Sequence, residues 1–187
     1  MTDPARGRPS AGRDRARGST ETEPHDDRAR GRELALLALC HLESYPVAEH
    51  ESALQLLWRS PPRGDDERGS LLVTLVRDEP TRRRATALLQ ELWAHRAELD
   101  ASITETSVRW RLERMAQVDR NVLRLAAFEL AFRPRTPRPV VLSEAVRLAR
   151  RYGSERSVGF VNGVAEALAQ RLRVAPAEHD PREEEDG

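Results

Sequence analysis

Between residues 26 and 172 the apolar side chains recur at intervals of three and four, the period of amphipathic helices. The run from Leu34 to Leu42 (Leu34, Ala35, Leu36, Leu37, Ala38, Leu39, Cys40, Leu42) is apolar almost all round, so it predicts a central buried helix, with Asp26 and Asp27 as its cap. A short helix fits Glu49 to Trp58. SPPRGDD, residues 60–66, then breaks the chain before the cluster Leu71, Leu72, Leu75 and Val76, which Pro80 ends. Leu88, Leu92, Leu99 and Ile103, widened by Leu89 and Trp93, predict one long helix. VDRNVLRLAAFELAF, residues 118–132, predicts another that stops before Pro134. Pro139 opens a helix whose stripe is Val141, Ala145, Leu148 and Tyr152, with Gly153 as a left-handed stop. A last helix runs from Ser157 to Leu172. No alternating run rich in Val, Ile, Thr and aromatic residues competes with these patterns. The expected fold is all-α, of about seven helices.

Composition refines this picture at the ends. Residues 1–25 carry no large aliphatic or aromatic residue after Met1 and are rich in Gly, Pro, Ser and Arg, so a disordered basic arm is expected there. Residues 175–187 form an acidic tail on the same reasoning, which leaves 26–174 as the folded domain. All 31 basic residues are Arg, and 31 acids balance them. The balance is local in origin, because residues 176–187 hold one Arg against six acids and mask a mildly basic body. One cysteine excludes an internal disulfide, and no apolar run is long enough to span a bilayer, which together suit a cytoplasmic protein.

Signatures of catalysis are missing. The five histidines are scattered, and a single cysteine cannot supply a structural zinc site. There is no glycine-rich phosphate loop and no nucleophile elbow. His41, on the buried helix, fits a hydrogen-bonded core residue. Trp58, Trp93 and Trp110 each adjoin apolar helical residues, and core packing is expected of them. Glu129 and Arg133, four apart, suit a helix-surface ion pair. The expectation is a binding module without catalytic activity, cofactor or metal.

Two constellations remain. In DDRARGRELALLALCHLE, residues 26–43, Arg28 and Arg32 fall one turn apart on one face while Arg30 points across. Guanidinium forks at a helix start beside an arm suit phosphate contacts, and the arm's own arginines lack structure to position them. In SVGFVNGVAEALAQRL, residues 157–172, Asn162 and Gly163 interrupt a helical period. With Gly159 and Gly163 at i, i+4, the expectation is a stripped helix face for close backbone approach, with Asn162 bonding a neighbouring loop.

R-x-R-E-x-A-x-x-A-L around Arg30, Glu33, Ala35, Ala38 and Leu39, then D-R-x-x-L-R-L-A-x-x-E-L from Asp119, E-A-V-x-L-A-x-x-x-G from Glu144 and F-V-N-G-V from Phe160 closely resemble the NusB transcription antitermination family in order and spacing. The similarity covers about residues 28–172. It implies two three-helix sub-bundles, no catalysis, and binding of single-stranded boxA RNA in nascent ribosomal RNA. That binding is joint with the ribosomal protein NusE, within the antitermination complex of RNA polymerase. The implied RNA contacts are Arg28, Arg30 and Arg32, with Phe160 near the same surface. Arg156, where an acid is common, adds a phosphate contact. Asp119, whose plain reading is a helix cap, occupies a position near the ribosomal-protein contact. Asp26, Asp27, Ala29 and Gly31 dilute the basic motif, and Cys40 stands where a tyrosine is usual. The region 59–80 is longer than in compact members. Family members differ in oligomeric state, and a homodimer would bury the Arg surface. Two other readings are a protein-interaction module without RNA binding and a detached RNA-binding domain related to that of ribosomal RNA methyltransferases.

Overall fold

The computed structural model describes residues 24–62, 67–108 and 110–172. The expected arm and acidic tail therefore lie outside the described residues, except for the last two positions of the arm. Eight α-helices are described: α1 Pro24–Leu42, α2 His50–Arg59, α3 Glu67–Arg77, α4 Glu79–Ala94, α5 Arg96–Thr106, α6 Gln117–Phe132, α7 Arg138–Tyr152 and α8 Ser157–Leu172. Short 3-10 turns at Val47–Glu49 and Leu112–Arg114 precede α2 and α6, and no strand occurs among the described residues. The fold is all-helical, as the periodicity requires.

Local chemistry sets several helix ends. Asp78 caps α4 by accepting from the Thr81 amide at 3.2 Å, with Pro80 in the first turn where its missing N–H is harmless. The Thr81 side chain, then its amide and the Arg30 charge, hold the Asp78 carboxyl below its ordinary range against the opposing effect of burial. The long helix expected across residues 88–103 is two helices, because His95 closes α4 and opens α5, its ring stacked 3.9 Å from that of Phe132. α1 begins at Pro24, so Asp26 and Asp27 lie within it and do not precede it. Gly153 ends α7 in an extended conformation (φ −89°), not a left-handed one. Glycine is needed there for space, since a Cβ would lie 2.5 Å from the Ser157 hydroxyl and 2.7 Å from the Ala149 carbonyl. That hydroxyl accepts the Ser154 amide at 2.9 Å, which starts α8 immediately after the stop.

α6, α7 and α8 pack pairwise as one three-helix group. The other half departs from the expected second trio: α2, α3 and α4 all gather on α1, while α5 lies on α6 and α8. α1 also packs on α6 and joins the halves. Asn121 to Leu130 are buried without exception, and Phe128, Leu34, Leu36, Leu123 and Leu130 are among the largest side chains sealed in the core. Among the described residues no helix is long and apolar enough to cross a membrane.

Candidate nucleic-acid interface

The α1 contact with α6 and α7 is built from charge. Arg32, 6% exposed, donates from Nε and Nη2 to the two carboxylate oxygens of Glu129 at 2.8 and 2.9 Å, and its Nη1 lies 3.8 Å from Glu144. Next to it, buried Glu33 accepts the Tyr152 hydroxyl at 2.7 Å and lies 3.1 Å from Arg151. Burial, then this bond and the Glu33 charge, hold the Tyr152 phenol well above its usual range. Arg147 bonds Glu144 and the Ala29 carbonyl. The Arg-Glu pair of the basic motif is thus a clamp between three helices, its guanidinium fork already filled by carboxylate.

The rest of the motif is more open. Arg28 is exposed, and Arg30 is half-buried with Nη2 3.9 Å from Asp78. Arg28 and Arg32 do share a face. They line a groove of about 340 Å³ with Arg84, Arg133 and Arg135, whose cationic rim suits a phosphate chain. Arg84 lies 3.6 Å from Asp27, and Arg133 bonds Glu91 at 2.5 Å. Glu129 is accordingly a buried partner of Arg32.

A second cluster gathers where α6 and α8 begin. Arg156, Phe160 and Asp119 line one pocket of about 170 Å³ with Trp110, Arg114, Met115 and Ala116. Trp110 was expected in the core, yet it is 56% exposed, while Trp58 and Trp93 do pack on the core. Its signal in the sequence is R-W-R, an aromatic between arginines in a stretch without helical period. Asp119 does not cap α6, whose N-cap is Ala116 with no side-chain bond; it is buried in the first turn, with Oδ1 unpartnered among the described residues. The glycine face of α8 is not packed either. Gly159, Asn162 and Gly163 are exposed, and a Cβ at either glycine would meet nothing within 4 Å. Asp119 and Glu129 are ten residues apart on α6, so the two clusters stand about 15 Å apart along its axis.

Other charges are structural. Arg124 grips Asp100 at 2.7 and 2.9 Å and Glu43 at 2.9 Å, and Arg120 bonds Glu43 at 2.7 Å. Burial raises the Glu43 carboxyl, but the Arg120 bond and charge outweigh it, leaving it below the ordinary value. Cys40 is partly buried against the core, where burial pushes its thiol up to about 11, and Asn121 Nδ2 lies 3.6 Å from its sulfur. His41 is partly buried with its ring 5.2 Å from that of Tyr45, and burial lowers its pKa. No cluster of His, Cys, Asp and Glu among the described residues is placed to hold a metal.

The model of the NusB family matches residues 29–170, most of the helical body with the second cluster and all of the first except Arg28. The chain belongs to the NusB family. The transcription antitermination protein NusB of Sorangium cellulosum is 46% identical over 126 residues, 65% of this chain and 89% of that protein. The NusB structure from T. maritima superposes with a TM-score of 0.54 at 29% identity, over 83% of this chain and 94% of that one. A structure of antitermination factors NusB and NusE in complex with dsRNA shares the fold, with a TM-score of 0.57 at 23% identity, over 78% of this chain and 97% of its own. The NusB match begins one residue after Arg28, so the most exposed arginine of the basic motif lies at its edge.

Proposed function

We propose that this protein is a transcription antitermination factor that binds boxA-type single-stranded RNA in nascent ribosomal RNA. It does so together with ribosomal protein NusE, within the RNA polymerase antitermination complex and in the cytoplasm. Binding, and not catalysis, is its role. The observation that carries this reading is the pairing of an arginine-rimmed groove at Arg28 with an exposed aromatic and cationic cluster at Trp110, Arg156 and Phe160, on a chain of the NusB family. Cations hold a phosphate chain and exposed aromatic rings stack its bases. The relatives' name and the solved assembly of NusB with NusE and RNA support the same reading.

Arg28, Arg30, Arg156 and Phe160 are assigned to RNA, whereas Arg32 holds the motif in place from inside. With Arg30 leaning on Asp78, few guanidinium groups are left free, so the protein alone binds RNA modestly and NusE raises the affinity by linkage. The test is RNA affinity at several salt concentrations with and without saturating NusE. Affinity that NusE leaves unchanged would remove the central support for this function.

A further inference from the structure

The fold brings the arginine groove and the acidic end of the chain to the same end of the bundle. Gly31 lines the groove, and a Cβ there would lie 3.0 Å from that of Arg84, so the missing side chain lets α4 set Arg84 beside Arg28. Arg28 and Arg135 are exposed with no ion pair among the described residues, and Arg84, half-exposed, reaches Asp27 only at 3.6 Å. Residues 178–186 carry Glu178, Asp180, Glu183, Glu184, Glu185 and Asp186 against Arg182. α8 leads into them and runs antiparallel to α7, since Arg138 at the start of α7 bonds Glu166 in the second half of α8 at 2.5 Å. Leu172 therefore ends α8 on the side of the α6–α7 turn, where Arg135 stands three residues before Arg138. Leu172 is about 9 Å along the helix from Glu166, and Arg135 is at most about 11 Å from Arg138. Glu183, eleven residues past Leu172, has a reach of about 36 Å, longer than both spans and the Arg138–Glu166 pair together. Arg156, just before α8, is at the other end of that helix, about 24 Å from Leu172, and a tethered segment favours the nearer site.

We propose that residues 178–186 lie along this groove in the free protein, so that the chain's own acidic tail and RNA compete for the same guanidinium groups. The assignment rests on the RNA-binding reading above and adds regulation of that site to it. Carboxylates accept from guanidinium forks as phosphates do, and the six acids of the tail complement the arginine rim. Each exposed pair contributes little and is screened by salt, but tethering holds the tail at a local concentration on the order of millimolar. The tail therefore turns away RNA that touches the groove alone. RNA held also by the second cluster and by NusE displaces it.

The test uses the full chain with Cys40→Ser and Gly187→Cys, a nitroxide on its one thiol, and a boxA-type RNA. At low salt the nitroxide should broaden the amide signals of Gly31, Leu88 and Thr136 and spare those of Arg156 and Phe160, and RNA should restore the broadened ones. In a second full chain Glu178, Glu183, Glu184 and Glu185 are changed to Gln and Asp180 and Asp186 to Asn. Broadening should vanish there and RNA affinity rise about three- to tenfold, as for a groove open between roughly a tenth and a third of the time. The gain should fade in about 1 M salt, where charges more than about 3 Å apart are screened. A gain of the same size in chains that also carry Arg84→Gln and Arg135→Gln would be an effect of net charge alone and overturns the proposal. So do groove amides left sharp, broadening confined to residues 1–23, or affinity unchanged by neutralising the tail. Failure of both chains to bind RNA at any salt overturns the underlying function, and the nitroxide broadening then decides separately whether the tail sits in the groove.

Discussion

The two ends of α6 carry similar residue types and use them in opposite ways. At its C-terminal end Glu129 is buried and grasped by both arms of Arg32, with Glu144 and Arg147 completing the set. At its N-terminal end Asp119 is as deeply buried, but among the described residues no donor reaches its Oδ1, and the nearby Arg114 and Arg156 are exposed. A carboxylate with its partner built in is part of the scaffold. The same contrast separates aromatic residues, since Phe128 is sealed in the core while Phe160 shares a surface pocket with Trp110.

Removing Arg32 should break the first end outright. Arg32→Ala takes the two-armed cation from buried Glu129 and one of two cations from Glu144, and is expected to destabilise the fold by about 3–5 kcal/mol in urea titrations. A loss below about 1 kcal/mol would mean that Arg32 is free to act at the surface. The aromatic pair is the next sharpest probe. Phe128→Ala should reduce stability by about 3–5 kcal/mol, whereas Phe160→Ala should remove about 1–3 kcal/mol of RNA binding with a much smaller fall in melting temperature. Equal losses of stability in the two variants would erase the distinction between core and surface ring.

Changing Arg28 and Arg30 together to Ala should shift stability by no more than about 0.5 kcal/mol and flatten the slope of log affinity against log salt by roughly 1.4. An unchanged slope would move the phosphate contacts away from the start of α1. The smallest effect is expected on the open face of α8. Gly163→Ala has room for its methyl group and should stabilise the free protein by about 0.5–1 kcal/mol. If the same variant binds NusE and RNA as tightly as the wild type, no partner approaches that face closely.

Periodicity alone made the helical class legible, because burying one stripe of a helix needs apolar residues every three or four positions whatever the neighbours are. The all-round apolar run from Leu34 likewise announced a central helix, and α1 does join both halves of the fold. The break at His95 was not legible, since the apolar stripe continues across it and the turn is stabilised by Phe132 from another helix. The motif residues were visible as a group, and Arg156, Phe160 and Asp119 do share a pocket. Their roles were not visible, because a guanidinium or carboxylate looks the same in sequence whether or not a distant residue neutralises it. Arg32 became a strut through Glu129, 97 positions away. Trp110 stands 56% exposed beside Phe160, and no described residue comes within 4 Å of a Cβ at Gly159 or Gly163, outcomes set by the placing of other helices. Local pattern determined which segments coil; long-range pairing of charge and shape decided which of their side chains remain free to bind.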